Sequence, residues 1–570
     1  MIRKIISALL LVNTFVVLQA QKLETKIPNN VDIVIAANAD NLFSLIDVSD
    51  IDNSFLGKGA LRGANKKAKV SSVSDLGVDI KSNSYYFFKK TDSISYHTIL
   101  VELTDKGQYE NTLKERQQKK IKRENGYSYI EGYSSLTIWN DNILAVVNGS
   151  KSYSYFKEHK ERFNKLKKEG ESRYSFKKRI VKSWIKEEAL KTLNNSPSNS
   201  IATNRNFQKG KKKNASATLW VRNYGMFMSN LIQEFGKTMR STMSYLMPSK
   251  GKNIYGVEEV TANLFFEKAN IRVLLEMSVS DYMKKSFKKI YNKRMNSALV
   301  NSFDHERALA FWSMSINTEE MLVQYPVMMN NLYGAILPKF KQEFEIVGDV
   351  LSLVIDEEAI AKLVTGDALF VLNEFGKKEV EYTKYEYDED YKRKEVTKTK
   401  ETLVPDFTIM IGSEEKELLT KVFKLGEKYK AVKETKKVYE LILKKAKLPF
   451  GFYAVVKNGV LYFTTSKANA ISIESGRTNF ASKKHNKLIR NNSTVLFADV
   501  NKIINKLPTE WFGKTEDKMA RLSNEHIENL NFTVSRMKGN KISSELRLNT
   551  KGKEENTLKL LFRLIDNMAK

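Results

Sequence analysis

Residues 31–42 read VDIVIAANADNL: an alternating apolar run, an Asn/Asp cluster, then apolar residues at helical spacing. Alternation at period 2 describes a half-buried strand, and apolar residues three to four apart describe one face of a helix. Asn and Asp at a strand end hold ligands in many α/β proteins, so the stretch is either a site or a joint. Its recurrence decides. ATLWVRNYGMFMSNLI (217–232), ALAFWSMSINTEEMLV (308–323) and STVLFADVNKIINKL (493–507) repeat the phrase, with Asn38, Asn223, Asn317 and Asp499 at the four strand ends. A short side-chain acceptor there satisfies a backbone N–H that the first helical turn leaves unpaired. Four recurrences at equivalent places predict four helix caps rather than four ligand sites.

Other units recur in the same order. HTILVELTDKGQYENTLKE (97–115) and FTIMIGSEEKELLTKVFK (407–424) both read as strand, polar turn, helix. SLTIWNDNILAVVNGS (135–150) and FYAVVKNGVLYFTTS (452–466) read as hairpins, the second turning at Asn458 and Gly459, a strong type I′ signal. Two strands and an amphipathic helix then close each series. Short links and period-2 strands predict an α+β fold of two tandem homologous halves, joined near 301–306, each with mixed, mainly antiparallel sheets covered by helices. The expected modules are 21–160 and 215–300 in the first half, and 305–475 and 490–570 in the second. Between the first two, 161–214 reads as a basic linker, with 196–214 as a mobile loop. A charged β-ribbon insertion is expected at 376–405, with its tip at Asp388–Asp390.

The chain starts MIRKIISALLLVNTFVVLQAQ: Arg3 and Lys4, an apolar run, and the small residue Ala20. This is the pattern of a secretory signal peptide (1–20) cleaved near Ala20, and the run is short for a spanning helix. No later stretch is apolar for long enough to span, so the expected product is exported, periplasmic or cell-envelope associated, with no transmembrane segment after cleavage. With no Cys in 570 residues, disulfides, zinc-thiolate sites, iron-sulfur clusters and thiol catalysis are excluded. The formal charge of +29 favours acidic partners.

The joints quoted above, with SDLGVDIKSNSYYFF (74–88) and IAKLVTGDALFVL (360–372), resemble an exported Bacteroidota family named domain of unknown function 4836. That family opens with a phrase like IPNNVDIVIAANADNLFSL (27–45), and the resemblance covers nearly all of the mature chain. It implies export and carries over no activity and no catalytic residue. Many members carry a lipoprotein Cys that this chain lacks, so anchoring is not carried over.

The chemical motifs are sparse. His97, His159, His305, His485 and His526 form no H-E-x-x-H and no pair at i, i+4, and His159 and His485 lie among Lys residues, the setting of a solvated histidine. The acidic runs Asp356, Glu357, Glu358 and Asp388, Glu389, Asp390 are consecutive, and consecutive carboxylates do not face one another across a substrate. They read as a helix start and a solvated tip. GKGALRG (57–63) lacks P-loop spacing. Lys209, Lys211, Lys212 and Lys213 could contact an anionic partner, but no aromatics are interleaved, so specific nucleic-acid binding is not expected. The sequence therefore predicts no catalytic residue, cofactor or metal. It favours a non-enzymatic binding or scaffold protein that meets an envelope protein or acidic polymer. The alternatives are a periplasmic hydrolase with carboxylates from separate modules, or a binder of acidic glycan or lipid head groups.

Overall fold

The computed structural model describes residues 23–225, 256–336, 356–387, 393–443, 448–477, 482–507 and 514–569, with single positions at 228, 342, 343, 346 and 350. The expected signal peptide (1–20) and the ribbon tip Asp388–Asp390 lie outside the described residues. The chain is α+β and divides into two units. Unit 1 gathers Met1–Met228, Val257–Met277 and Glu554–Lys570, and unit 2 gathers Ser229–Gly256 and Ser278–Lys553.

The first ten strands are β1 (Ile33–Ala37), β2 (Ser84–Lys90), β3 (Ile94–Glu102), β4 (Lys122–Glu124), β5 (Tyr127–Glu131), β6 (Ser135–Trp139), β7 (Ile143–Lys151), β8 (Ala217–Arg222), β9 (Val257–Phe266) and β10 (Asn270–Val279). They pair in the order β4-β5-β6-β7-β3-β2-β1-β8-β9-β10. The second ten are β11 (Ala310–Ser315), β12 (Asp367–Tyr387), β13 (Arg393–Gly412), β14 (Val432–Thr435), β15 (Val438–Leu441), β16 (Phe452–Lys457), β17 (Val460–Thr464), β18 (Asn492–Ala498), β19 (Ile527–Ser535) and β20 (Lys541–Thr550). Their order is β14-β15-β16-β17-β13-β12-β11-β18-β19-β20, the same strand for strand.

Alternation places the core. In β1 Val34 is wholly buried while Ile35 is exposed, and in β18 Val495 and Phe497 are buried while Leu496 is exposed. The core of unit 1 joins Val34, Phe87, Leu100, Ile138, Val147 and Trp220, and that of unit 2 joins Phe311, Leu369, Val371, Val455, Val460 and Val495.

Two expectations need correction. Segment 161–214 is not a linker. It holds the 21-residue helix Arg173–Leu193, which packs across β6 and β7, and the helix Arg205–Gly210. Nor is 196–214 a mobile loop, since Ile201 and Phe207 are wholly buried, the Ile201 N–H donates to the Ile27 carbonyl, and the Asn195 amide donates to the Thr25 carbonyl. The positive charge that reads as solvated linker sits on the outer face of helices whose other face carries Phe176, Val181, Ile185 and Phe207. The units also do not divide at 301–306. The helix Asp281–Tyr291, which follows β10, belongs to unit 2, and the C-terminal helix Thr557–Ala569, which follows β20, belongs to unit 1. There the Asn556 amide donates to the Leu45 carbonyl and the Asp566 carboxylate accepts from the Phe55 N–H. The charged β-ribbon expected at 376–405 is present. It is the outer part of the β12–β13 hairpin, which stands where unit 1 has the short β2–β3 hairpin.

Candidate functional site

The opening stretch folds as a joint. Asn38 follows β1 with extended backbone (φ −95°), and its Oδ1 accepts the Asn41 N–H at 3.3 Å. Asn317 Oδ1 accepts the Glu320 N–H at 3.1 Å, and Asp499 Oδ1 accepts the Lys502 N–H at 2.9 Å. Asn223 differs: its φ of +50° lies in the left-handed region, outside the extended backbone of an N-cap. Replacing Asp499 by Ala is expected to lower stability by about 1 kcal/mol, measured as a shift in denaturant midpoint. An unchanged midpoint would remove the capping role.

The four lysines at 209–213 do not act as one patch. Lys211 Nζ lies 2.8 Å from Glu24 Oε1, a carboxylate that also accepts from Gln208 Nε2 at 2.9 Å. Lys212 Nζ lies 2.9 Å from Glu276 Oε2. Lys209 and Lys213 remain exposed, without an ion pair among the described residues. Two of the four charges are thus consumed in holding the segment to unit 1.

The acidic run at 356–358 is a helix start. Asp356 Oδ1 accepts the Ala359 N–H at 2.9 Å, and Glu358 pairs with Lys362 at 2.7 Å. The run Asp388, Glu389, Asp390 lies outside the described residues. Histidine placement departs from the sequence reading at His485, which is 7% exposed and not a solvated residue. Its ring centroid lies 5.9 Å from that of His305, itself 3% exposed, and the two sit among Phe303, Phe311 and Phe497. His305 Nε2 is 2.9 Å from the Val300 carbonyl, so this nitrogen carries the proton and Nδ1 faces the His485 N–H at 3.4 Å. His485 Nε2 has no hydrogen-bond partner among the described residues. Burial lowers the pKa of both rings, that of His485 to about 4. Lysine neighbours in sequence misled here, because short-range charge says nothing about which face of the chain is packed.

Two features carry no obvious packing role. The first is the outer β12–β13 ribbon. β11 pairs with β12 only at Asp367–Leu372, and β17 pairs with β13 only at Thr408–Gly412, so from Gly376 to Tyr387 and from Arg393 to Val404 the two strands pair with each other alone among the described residues. Cross-strand pairs lace it: Lys377 with Glu401 at 2.9 Å, Lys398 with Glu386, and the Arg393 guanidinium 3.4 Å from the Tyr385 ring centroid.

The second is a cavity of about 500 Å³ in unit 2, between the β14–β15 hairpin, β16 and one face of the helix Lys467–Ser475. Its lining includes Lys436, Lys437, Tyr453, Lys467 and Ile471. Sequence reading missed it. The available signal was that Lys436 and Lys437 stand at the turn position held by Asn125 and Gly126 in the first half.

No family model matches the chain, and no curated protein matches it. Among solved structures, crystal form I of TP0453 is similar at 10% identity and a TM-score of 0.24, covering 49% of this chain and 82% of that one. Crystal form III of TP0453 gives 11%, 0.25, 49% and 83%.

Proposed function

We propose that the protein is an exported, non-enzymatic binding protein of the cell envelope, built by tandem duplication and akin to the Bacteroidota family it resembles, and that the β12–β13 ribbon is its docking arm for a protein partner. The observation that supports this is the ribbon's isolation. Ordering a residue costs about 1–2 kcal/mol in backbone entropy, and a lone two-stranded hairpin is marginal in water. Along most of its length the ribbon buries nothing in return. Its Lys and Glu pairs blunt edge-to-edge self-association, while among the described residues no third strand pairs with either edge of the ribbon, where a partner strand can add. The basic surface is a weaker candidate, because Lys211 and Lys212 are engaged within unit 1.

The test is a variant in which 375–405 is replaced by Asn-Gly, joining Glu374 to Asp406, which face each other across the hairpin, through a type I′ turn. The expected result is a thermal midpoint within about 2 °C of the parent, as for a surface change that removes no core contact, together with loss of crosslinks to envelope protein in high salt. Crosslinks that persist in the shortened variant would refute the docking role.

A further inference from the structure

The two units treat one corner of the same fold in opposite ways. In unit 1 the β4–β5 hairpin is covered by the helix Arg173–Leu193. Lys186 of that helix pairs with Glu124 at 2.6 Å, reaches the Tyr129 hydroxyl at 3.2 Å, and lies 4.7 Å from the Tyr129 ring centroid. Tyr127 donates to Asn194 Oδ1 at 2.9 Å, and Tyr129 is buried. In unit 2 the helix over the corresponding sheet, Lys467–Ser475, has nine residues against twenty-one. Among the described residues, the corner it leaves uncovered is the cavity. Register fixes the equivalence: Glu124 faces Tyr127 across the first turn as Thr435 faces Val438 across the second, which sets Glu440 where unit 1 has Tyr129.

The turn itself differs in a way that works against stability. A type I′ turn needs positive φ at both central residues and favours Asn-Gly. The chain has that pair at Asn125–Gly126 (φ +52° and +80°) and at Asn458–Gly459 (φ +51° and +71°). At the cavity it has Lys436 and Lys437, with φ of +52° and +60°. Two consecutive side chains in the left-handed region are strained, and such strain persists where function uses the side chains. Among the described residues neither lysine has an ion-pair partner, nor does Lys467 across the cavity. Glu440 and Glu474 share the lining, so the cavity carries three cations against two carboxylates. Its apolar wall is Val438, the Tyr453 ring and Ile471, a residue 53% exposed.

We infer that this cavity is a binding site for a small organic anion, a carboxylate or phosphate ester on an aromatic or aliphatic body, with Lys436, Lys437 and Lys467 meeting the anionic head and Tyr453 and Ile471 the body. Its volume lies within the range of ordinary ligand pockets, and three lysines lining it beside an apolar wall favour such amphiphiles over neutral or inorganic species. The site is separate from the ribbon and does not depend on it.

Calorimetric titration of the protein with 1-naphthyl phosphate and 2-naphthoate, against neutral 2-naphthol and inorganic phosphate, tests the inference. Saturable binding of both organic anions at one site is expected, at least tenfold tighter than 2-naphthol or phosphate. The double variant K436N/K437G installs the turn of unit 1. It should bind the anions at least tenfold more weakly while its thermal midpoint stays level or rises, because the strain is relieved as the charges leave. K186A, at the covered corner of unit 1, should bind as the parent does. Failure of the anions to saturate, equal binding of 2-naphthol, or unchanged affinity in K436N/K437G would each overturn the assignment.

Discussion

Replacing Phe207 by Ala lowers the unfolding free energy of unit 1 by about 3–5 kcal/mol, the range for truncating a fully buried aromatic side chain. Phe207 sits in the six-residue helix Arg205–Gly210, too short to be stable by itself. The helix is held from both ends. Asn204 Oδ1 accepts the N–H groups of Asn206 and Phe207, each at 3.0 Å, and the Phe207 ring is wholly buried, meeting Trp220 edge-on with centroids 5.8 Å apart. Lys211 lies 5.2 Å from the same ring while pairing with the buried Glu24, so truncation also loosens a charge pair. Because the chain has two units, one global free energy is not defined; the readout is the denaturant transition followed by Trp220, as the difference between the parent and W220F. A loop that packs on nothing would lose less than about 0.5 kcal/mol. A result that small would restore the linker reading of this segment.

What was legible in the sequence follows from which signals are local. Period-2 alternation and strand-end caps depend on neighbours within one turn or one strand, so the joints at Asn38, Asn317 and Asp499 and the two hairpins could be read directly, as could the α+β class, whereas Asn223 does not cap. Lys-rich composition is not such a signal. Between 161 and 214 the lysines lie on the outer faces of helices whose apolar residues are spaced at 3 to 4, a pattern the positive charge obscures. The exchange of the helices Asp281–Tyr291 and Thr557–Ala569 between units was illegible for another reason: a helix following a strand by a short link can pack on either side of a boundary, and periodicity does not say which. The cavity lies beside a helix of nine residues where unit 1 has one of twenty-one. Only comparing the two halves residue by residue, Asn125–Gly126 against Lys436–Lys437, would have pointed to it.

The His305–His485 pair should make unit 2 lose stability as the pH falls from 6.5 to about 4. Both rings are neutral in the fold, because burial among Phe303, Phe311 and Phe497 penalises the charged form. For His485, proximity to His305 and Lys484 depresses the pKa further, and Glu306 opposes this. For His305, the hydrogen bond to the Val300 carbonyl and the charges of Asp304 and Glu306 oppose the burial. In the unfolded chain a histidine titrates near its ordinary value of about 6.5. Above that pH neither state binds a proton and the pair contributes no pH dependence. Between 6.5 and about 4 the unfolded state binds protons that the folded state refuses, so stability falls with pH, and below about 4 the loss levels off. For His485 this amounts to about 3 kcal/mol. Asp32 in unit 1 and Asp406 in unit 2, both raised by burial, act in the opposite direction at the acid end, so the comparison must be with a variant. His485→Phe keeps an aromatic ring against Phe311 and Phe497 and removes the titrating group. Its denaturant midpoint should exceed that of the parent at pH 4.5 and show a shallower pH slope, with the two proteins converging at pH 7.5. Equal slopes across that range would mean that His485 takes up its proton in the folded state, and that the ring is reached by water despite its burial.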